Sequence, residues 1–140
     1  MRVLITGGAG FIGCNTAHHS LQRGDDVTVF DNLSRTGSRH NLDWLLETGR
    51  ASFVEGDVRD DATVRRVVAE VRPDAILHLA GQVAVTISIV DPRTDFEVNA
   101  LGTHGSLRGS RLRNSAGELA AGAGHTPAAC GPLLHYSIGF

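Results

Sequence analysis

Thr6-Gly-Gly-Ala-Gly-Phe-Ile-Gly13 follows a short apolar segment, Arg2-Val-Leu-Ile5, and leads straight into a segment able to form a helix. Strand, tight glycine turn and helix, in that order, form the setting in which a glycine motif marks a phosphate site. Gly8, Gly10 and Gly13 give G-x-G-x-x-G, while Gly7, Gly10 and Gly13 give G-x-x-G-x-x-G after a threonine. Glycine serves three needs there: a sharp turn, close backbone approach to a pyrophosphate, and close packing of helix on strand. The helix start then offers free N–H groups to negative charge. With 17 glycines in the chain the spacing alone is weak, and an ordinary glycine turn is the alternative. The flanking strand and helix favour the phosphate site.

Beyond the turn the spacing predicts a helix over Phe11 to Arg23, with Cys14, Ala17 and Leu21 on one face and Gly24 as its stop. Val27-Thr-Val-Phe30 reads as a buried strand. Asp31 stands at its carboxyl end, 18 residues past Gly13, where a carboxylate accepts hydrogen bonds from the adenosine ribose hydroxyls. A strand-end turn aspartate is the plainer alternative. His40 to Thr48 reads as a short helix, Ala51 to Val54 as a third strand, and Asp61 as the cap of the next helix. Val64, Val67, Val68 and Val71 then form the clearest helical stripe in the chain, ended by Arg72-Pro73. Asp74 to Ala80, with Ala75-Ile-Leu-His-Leu79, is a fourth strand, and Pro92 opens a helix that runs to about Leu107 with Phe96, Ala100, Thr103 and Leu107 on one face. Strands and helices alternating from residue 2 to residue 80 predict a partial Rossmann-type, doubly wound α/β fold, with a parallel sheet in order 3-2-1-4 that is incomplete at the C-terminal end. Pro132 to Phe140 fits either a short strand or a loose end.

Composition narrows the function classes. At 140 residues the chain is one domain, short for a complete enzyme of this type. A net charge of −2 gives no reason to expect nucleic-acid binding, and no apolar run approaches a membrane span. All 13 basic residues are arginine. Cys14 and Cys130 lack metal-ligand spacing, and reduced thiols fit a cytoplasmic location. His18 and His19 are adjacent on a helix and point apart, so no metal site is expected. His78 reads as a satisfied core histidine, and Ser88 as either a helix cap or a substrate contact.

Five blocks, in order, carry a resemblance: Thr6 to Gly13; Asp31-Asn-Leu-Ser34; Gly56-Asp-Val-Arg-Asp60; His78-Leu-Ala-Gly81 with Val85, Ser88 and Pro92; and Asn99-Ala-Leu-Gly-Thr103. Together they resemble the extended short-chain dehydrogenase/reductases, specifically the NAD-dependent epimerase/dehydratase family that acts on nucleotide sugars. Gly81-Gln-Val-Ala-Val-Thr86 with Asp91-Pro-Arg-Thr-Asp-Phe96 looks most like its CDP-sugar 2-epimerases, the CDP-paratose/tyvelose type. The resemblance implies that Gly7, Gly10, Phe11, Ile12 and Gly13 lie along the pyrophosphate. It implies that Asp31 holds the adenosine ribose with Asn32, Ser34 and Arg35 nearby, and that Asp57 and Val58 flank the adenine. Leu79, Ala80 and Gly81 would line the cofactor, with Asn99 below the nicotinamide half. The implied cofactor is NAD. The Asp31 carboxylate would repel the extra phosphate of NADP, although an arginine such as Arg35 can accept one. A nucleotide sugar is the implied substrate of the complete family, and a homo-oligomer stays open.

Active members of the family carry a Tyr-x-x-x-Lys pair, in which the lysine cation lowers the tyrosine pKa for acid/base work. This chain has no lysine, and its only tyrosine, Tyr136, is followed four residues later by Phe140. No catalytic residue is therefore expected. Residues 1–103 are expected to form the cofactor-binding part, and residues 104–140 an atypical tail altered by truncation or a change of reading frame. Gly105 and Gly109 there each cost about 1 kcal/mol inside a helix. The expected function is the NAD-binding portion of a nucleotide-sugar epimerase or dehydratase, inactive alone. The alternatives are a non-catalytic dinucleotide-binding or subunit-pairing module, or a non-functional gene fragment.

Overall fold

A computed structural model describes residues 1–106 and 108, and the backbone of 134–137. The predicted strands form as β1 (Arg2–Thr6), β2 (Asp26–Asp31), β3 (Ala51–Glu55) and β4 (Ala75–His78). A fifth strand, β5 (Leu134–Ser137), pairs with β4. The sheet order is β3-β2-β1-β4-β5, and every pairing is parallel. The expected order of the first four strands is therefore observed, and the open choice at the carboxyl end resolves to a strand. Tyr136 lies in that strand, paired in register with Leu77.

Alternation along each strand feeds two cores, one on each face of the sheet. Val3 and Ile5 of β1, with Val27 and Val29 of β2, pack with Ala17 and Leu21 of α1 (Phe11–Gln22) and with Leu42 and Leu45 of α2 (Ser38–Leu46). Leu4, Phe30 and Ile76 pack on the opposite face with Val64, Val67 and Val68 of α3 (Asp61–Val71). The valine stripe is thus the buried face of α3. Gly24 supports the stop after α1 with φ +87°, and Arg72 ends α3 in the left-handed region at φ 49°.

Local details differ from the expectations. The cap of α3 is Asp60, not Asp61: its carboxylate accepts from the Ala62 and Thr63 N–H groups. Asp61 is already inside the first turn, where a carboxylate still favours the dipole. The helix predicted from Pro92 is broken into α4 (Val85–Val90), α5 (Pro92–Phe96), a π-helical turn at Glu97–Leu101 and helical residues 102–106. The wider π turn shifts the angular register. The expected face is therefore not the buried one, since Phe96 is 59% exposed whereas Gly102, Gly105 and Ser106 are buried. A Cβ on Gly102 would come within 2.8 Å of the Val58 side chain, so this glycine permits close approach where its propensity alone is unfavourable. Helical residues 102–106 run across the expected boundary at 103/104. Cys130, Gly109 and Leu107 lie outside the described residues. Among the described residues no helix is long and apolar enough to cross a membrane.

Candidate cofactor site

The strand order reverses between β1 and β4, since the chain builds outward to β3 and then returns to the other side of β1. Ligands of open parallel sheets bind at such a switch point, outside the carboxyl ends of the strands. The Thr6–Gly13 turn occupies that point. Gly7 takes φ +69°, and a Cβ there would stand 2.6 Å from the Ala80 nitrogen at the end of β4. The Gly7 N–H donates to the Phe30 carbonyl at 2.8 Å, tying the turn to β2. A Cβ on Gly13 would collide with the Gly7 carbonyl oxygen and lie 2.6 Å from the Gly8 Cα, so α1 rests directly on the turn. Gly10 differs from both: its Cβ would meet only the Gly7 oxygen, at 3.2 Å. Its neighbourhood is a cradle that a side chain would fill and a phosphate group can enter.

Gly10 is the N-cap of α1 and supplies no side-chain cap, and the first turn of the helix carries no acidic residue. The first N–H groups of the helix, on Phe11, Ile12 and Gly13, precede the first intrahelical donor at Cys14 and are left for an acceptor from outside. Phe11 is 81% exposed and Ile12 48% exposed, an apolar wall beside these donors.

Asp31 is joined to this turn. Its Oδ2 accepts from the Ala9 N–H at 3.0 Å and its Oδ1 from the Leu33 N–H at 2.8 Å. Each oxygen keeps a second acceptor position, and two hydroxyls on one ribose can use them. On the far side the Asn41 amide donates to the Ala9 carbonyl at 3.0 Å, so α2 also braces the turn. Asn32 donates to Asp57 Oδ2 at 3.1 Å and accepts from the Ser34 N–H at 3.1 Å. Asp57, two residues past β3, receives Arg59 Nε on Oδ1 at 2.9 Å and Arg59 Nη2 on Oδ2 at 2.6 Å. The Arg59 side chain is the main reason the Asp57 carboxyl is lowered to about 2.

At the opposite edge Asn99 forms a two-way clamp on Gln82. The Gln82 N–H donates to Asn99 Oδ1 at 2.8 Å, and Asn99 Nδ2 donates to the Gln82 carbonyl at 3.0 Å. Asn99 also donates to Asp95, which accepts from Ser88 Oγ at 2.8 Å. Ser88 therefore serves an internal contact between α4 and α5. Gln82 Oε1 accepts from Arg35 Nη2 at 3.3 Å, so Arg35 reaches from the β2 side of the crevice to the β4 side. Leu79, Ala80 and Gly81 form the path between Thr6 and this clamp, with the Leu79 N–H donating to the Thr6 carbonyl at 3.0 Å. His78 is a buried core histidine whose Nδ1 lies 2.7 Å from Thr6 Oγ1 and 3.3 Å from Ser106 Oγ.

The structure thus gathers the expected residues along one edge of the sheet, from Asp57 and Val58 beside β3 to Asn99 beside β4. Gln82 and Arg59 join the site without being marked out by the sequence motifs. Arg59 could have been found from its place two residues after Asp57, since a guanidinium at that spacing can fold back on a carboxylate. Gln82 gave no such signal, because its partners come from distant segments.

A parallel sheet with this glycine turn at its switch point defines a Rossmann-type, doubly wound domain. The sequence belongs to the GDP-mannose 4,6-dehydratase family, whose pattern it matches over residues 4–117. It is 50% identical over 115 residues to a CDP-paratose 2-epimerase of Salmonella typhi, covering 82% of this chain and 34% of that protein. It is 37% identical over 112 residues to a dTDP-glucose 4,6-dehydratase of Salmonella typhimurium, covering 79% of this chain and 31% of that one. Among solved structures it is similar to the UDP-glucose 4-epimerase of Thermus thermophilus in complex with NAD, with a TM-score of 0.73 and 44% identity over 81% of this chain and 35% of that one. The UDP-glucose 4-epimerase of Bifidobacterium longum, in complex with NAD+ and UDP, gives a TM-score of 0.75 at 36% identity, covering 81% of this chain and 34% of that one. The chain spans about a third of the length of these relatives.

Proposed function

We propose that this chain is the NAD-binding portion of a nucleotide-sugar epimerase or dehydratase. The observation that carries the reading is the uncapped start of α1, braced beside Asp31 at the switch point of the sheet. Gly7, Gly10, Phe11, Ile12 and Gly13 would receive the pyrophosphate through backbone N–H groups. Asp31 would hold the adenosine ribose, with Asn32, Ser34 and Arg35 around it. The base would continue along the strand order, past β2 to the end of β3, where Asp57 and Val58 stand. Leu79, Ala80 and Gly81 would line the other half, and the clamp of Asn99 on Gln82 would fix that wall. NAD, when bound, supplies reversible hydride acceptance from a sugar.

The chain contains no lysine, and its only tyrosine stands in a strand. The acid/base pair that would set hydride transfer in motion has no counterpart here, so binding without turnover is the expected behaviour. Residues 104–140 are where we place the atypical tail, with the family match itself reaching residue 117. Titration calorimetry with NAD and NADP, paired with an assay on UDP-, CDP- and dTDP-sugars, tests the proposal. Heat of binding from NAD alone and no sugar conversion is expected. Absence of NAD binding overturns the cofactor reading, preference for NADP overturns the role of Asp31, and sugar conversion overturns the inactivity.

A further inference from the structure

Gln82 is fixed at both its backbone and its side chain. Asn99 clamps the backbone, accepting from the Gln82 N–H at 2.8 Å and donating to the Gln82 carbonyl at 3.0 Å. Ala84 fixes the amide: its N–H donates to Gln82 Oε1 at 3.1 Å, and Gln82 Nε2 donates to its carbonyl at 2.8 Å. This pairing settles which way the amide faces, because a flipped amide would set donor against donor and acceptor against acceptor. Oε1 has a second acceptor position, and Arg35 Nη2 takes it at 3.3 Å. Arg35 is an exposed cation that makes no ion pair among the described residues. It follows Asp31 by only four residues. The Asp31 oxygens nevertheless accept from the Ala9 and Leu33 N–H groups, and the guanidinium is drawn to the opposite wall of the crevice.

We infer that Gln82 is a positioning residue for cofactor choice: it parks the Arg35 guanidinium on the β4 wall, away from the ribose end at Asp31, and so withholds a cationic partner from a dinucleotide phosphorylated on that ribose. This rests on the proposed cofactor reading and adds a second source of selectivity on the far side of the crevice. Asp31 repels such a phosphate, but an arginine free to turn back toward it can grip the phosphate bidentately and offset the repulsion. Turning back costs Arg35 its bond to Gln82. That bond is made without ordering the acceptor, since Asn99 and Ala84 have already fixed it. A hydrogen bond from a charged donor to a preorganised acceptor is enough to bias where the long, flexible arginine side chain rests.

The test compares NAD with NADP by titration calorimetry on the intact chain and its variants. The intact protein is expected to favour NAD. Gln82→Leu, which removes the acceptor, should lower the NAD-to-NADP affinity ratio by about tenfold, the worth of one hydrogen bond to a charged group. Gln82→Glu keeps an oxygen toward Arg35 and adds a charge to hold it, so the ratio should stay or rise. The effect must pass through Arg35, so adding Arg35→Met to Gln82→Leu should restore the ratio of the intact protein. A merely structural role for Gln82 would weaken both dinucleotides alike and leave the ratio where it was. An unchanged ratio in Gln82→Leu, or a lowered one that Arg35→Met does not restore, overturns the inference while leaving the cofactor reading standing. Preference of the intact protein for NADP overturns it together with the role of Asp31. Binding of neither dinucleotide overturns both the inference and the cofactor reading.

Discussion

Helices α1 and α3 both start at the carboxyl edge of the sheet, yet their first turns are finished in opposite ways. The start of α3 is closed from within: Asp60 accepts from the Ala62 and Thr63 N–H groups, and Asp61 adds a second carboxylate. The start of α1 is left open, with glycine as its N-cap and no acid in its first turn. The two helices share the same dipole and the same unpaired donors. Only one of them has its negative charge supplied by its own sequence. An open helix start that is also packed hard against β1 and β4, and that has Asp31 beside it, is arranged for a ligand that brings the anion with it.

The contrast can be broken at several positions. The largest effect is expected from Gly13→Ala, whose methyl group would enter the Gly7 carbonyl and Gly8 Cα, with a stability loss of about 3 kcal/mol in denaturant titration. Gly10→Ala meets only one atom, at 3.2 Å, so it should cost about 1 kcal/mol or less in stability while weakening NAD binding by about tenfold in calorimetry. Asn99→Ala removes both halves of the clamp on Gln82. It should weaken NAD binding by a few-fold and speed amide hydrogen exchange at Gln82, with little change in the unfolding midpoint. Asp60→Ala should lower the thermal midpoint slightly and leave NAD affinity unchanged, because that helix start is spoken for internally. Asp57 is depressed to about 2, chiefly by the Arg59 side chain, so its contribution to stability is present above the ordinary carboxylate range. That contribution is lost only as the pH falls from about 4 toward 2, a window that an acid titration of Arg59→Met should shift upward.

Much of this was readable in the chain. Apolar runs bounded by glycine and aspartate gave β1 to β4, because a strand buried on both faces needs little besides an unbroken apolar segment. The open cradle was legible because glycine at fixed spacing has few other uses after a strand, and Asp31 because its offset from Gly13 is set by one helix and one strand. The region after β4 was harder. Its helices bury none of their residues among α4, α5 and the π turn, so hydrophobic period carried little information there. What orders it is a chain of side-chain hydrogen bonds from Ser88 through Asp95 and Asn99 to Gln82 and Arg35, spanning residues far apart in sequence. Gly105, read as a helix breaker, is instead buried where its absent side chain would have met Asp61 at 3.4 Å, a close approach that propensity alone cannot signal.

The most direct test is Gly10→Asp, which gives α1 the kind of cap that α3 already has. Titration calorimetry with NAD and thermal unfolding would be recorded on both proteins. An unfolding midpoint equal to or above that of the parent is expected, as the new carboxylate closes the first turn. Loss of NAD affinity by about 100-fold or more is expected with it, as like charges meet where the pyrophosphate should lie. Undiminished NAD binding by Gly10→Asp would contradict the proposed cofactor site, since the open start of α1 would then have no part in holding the cofactor.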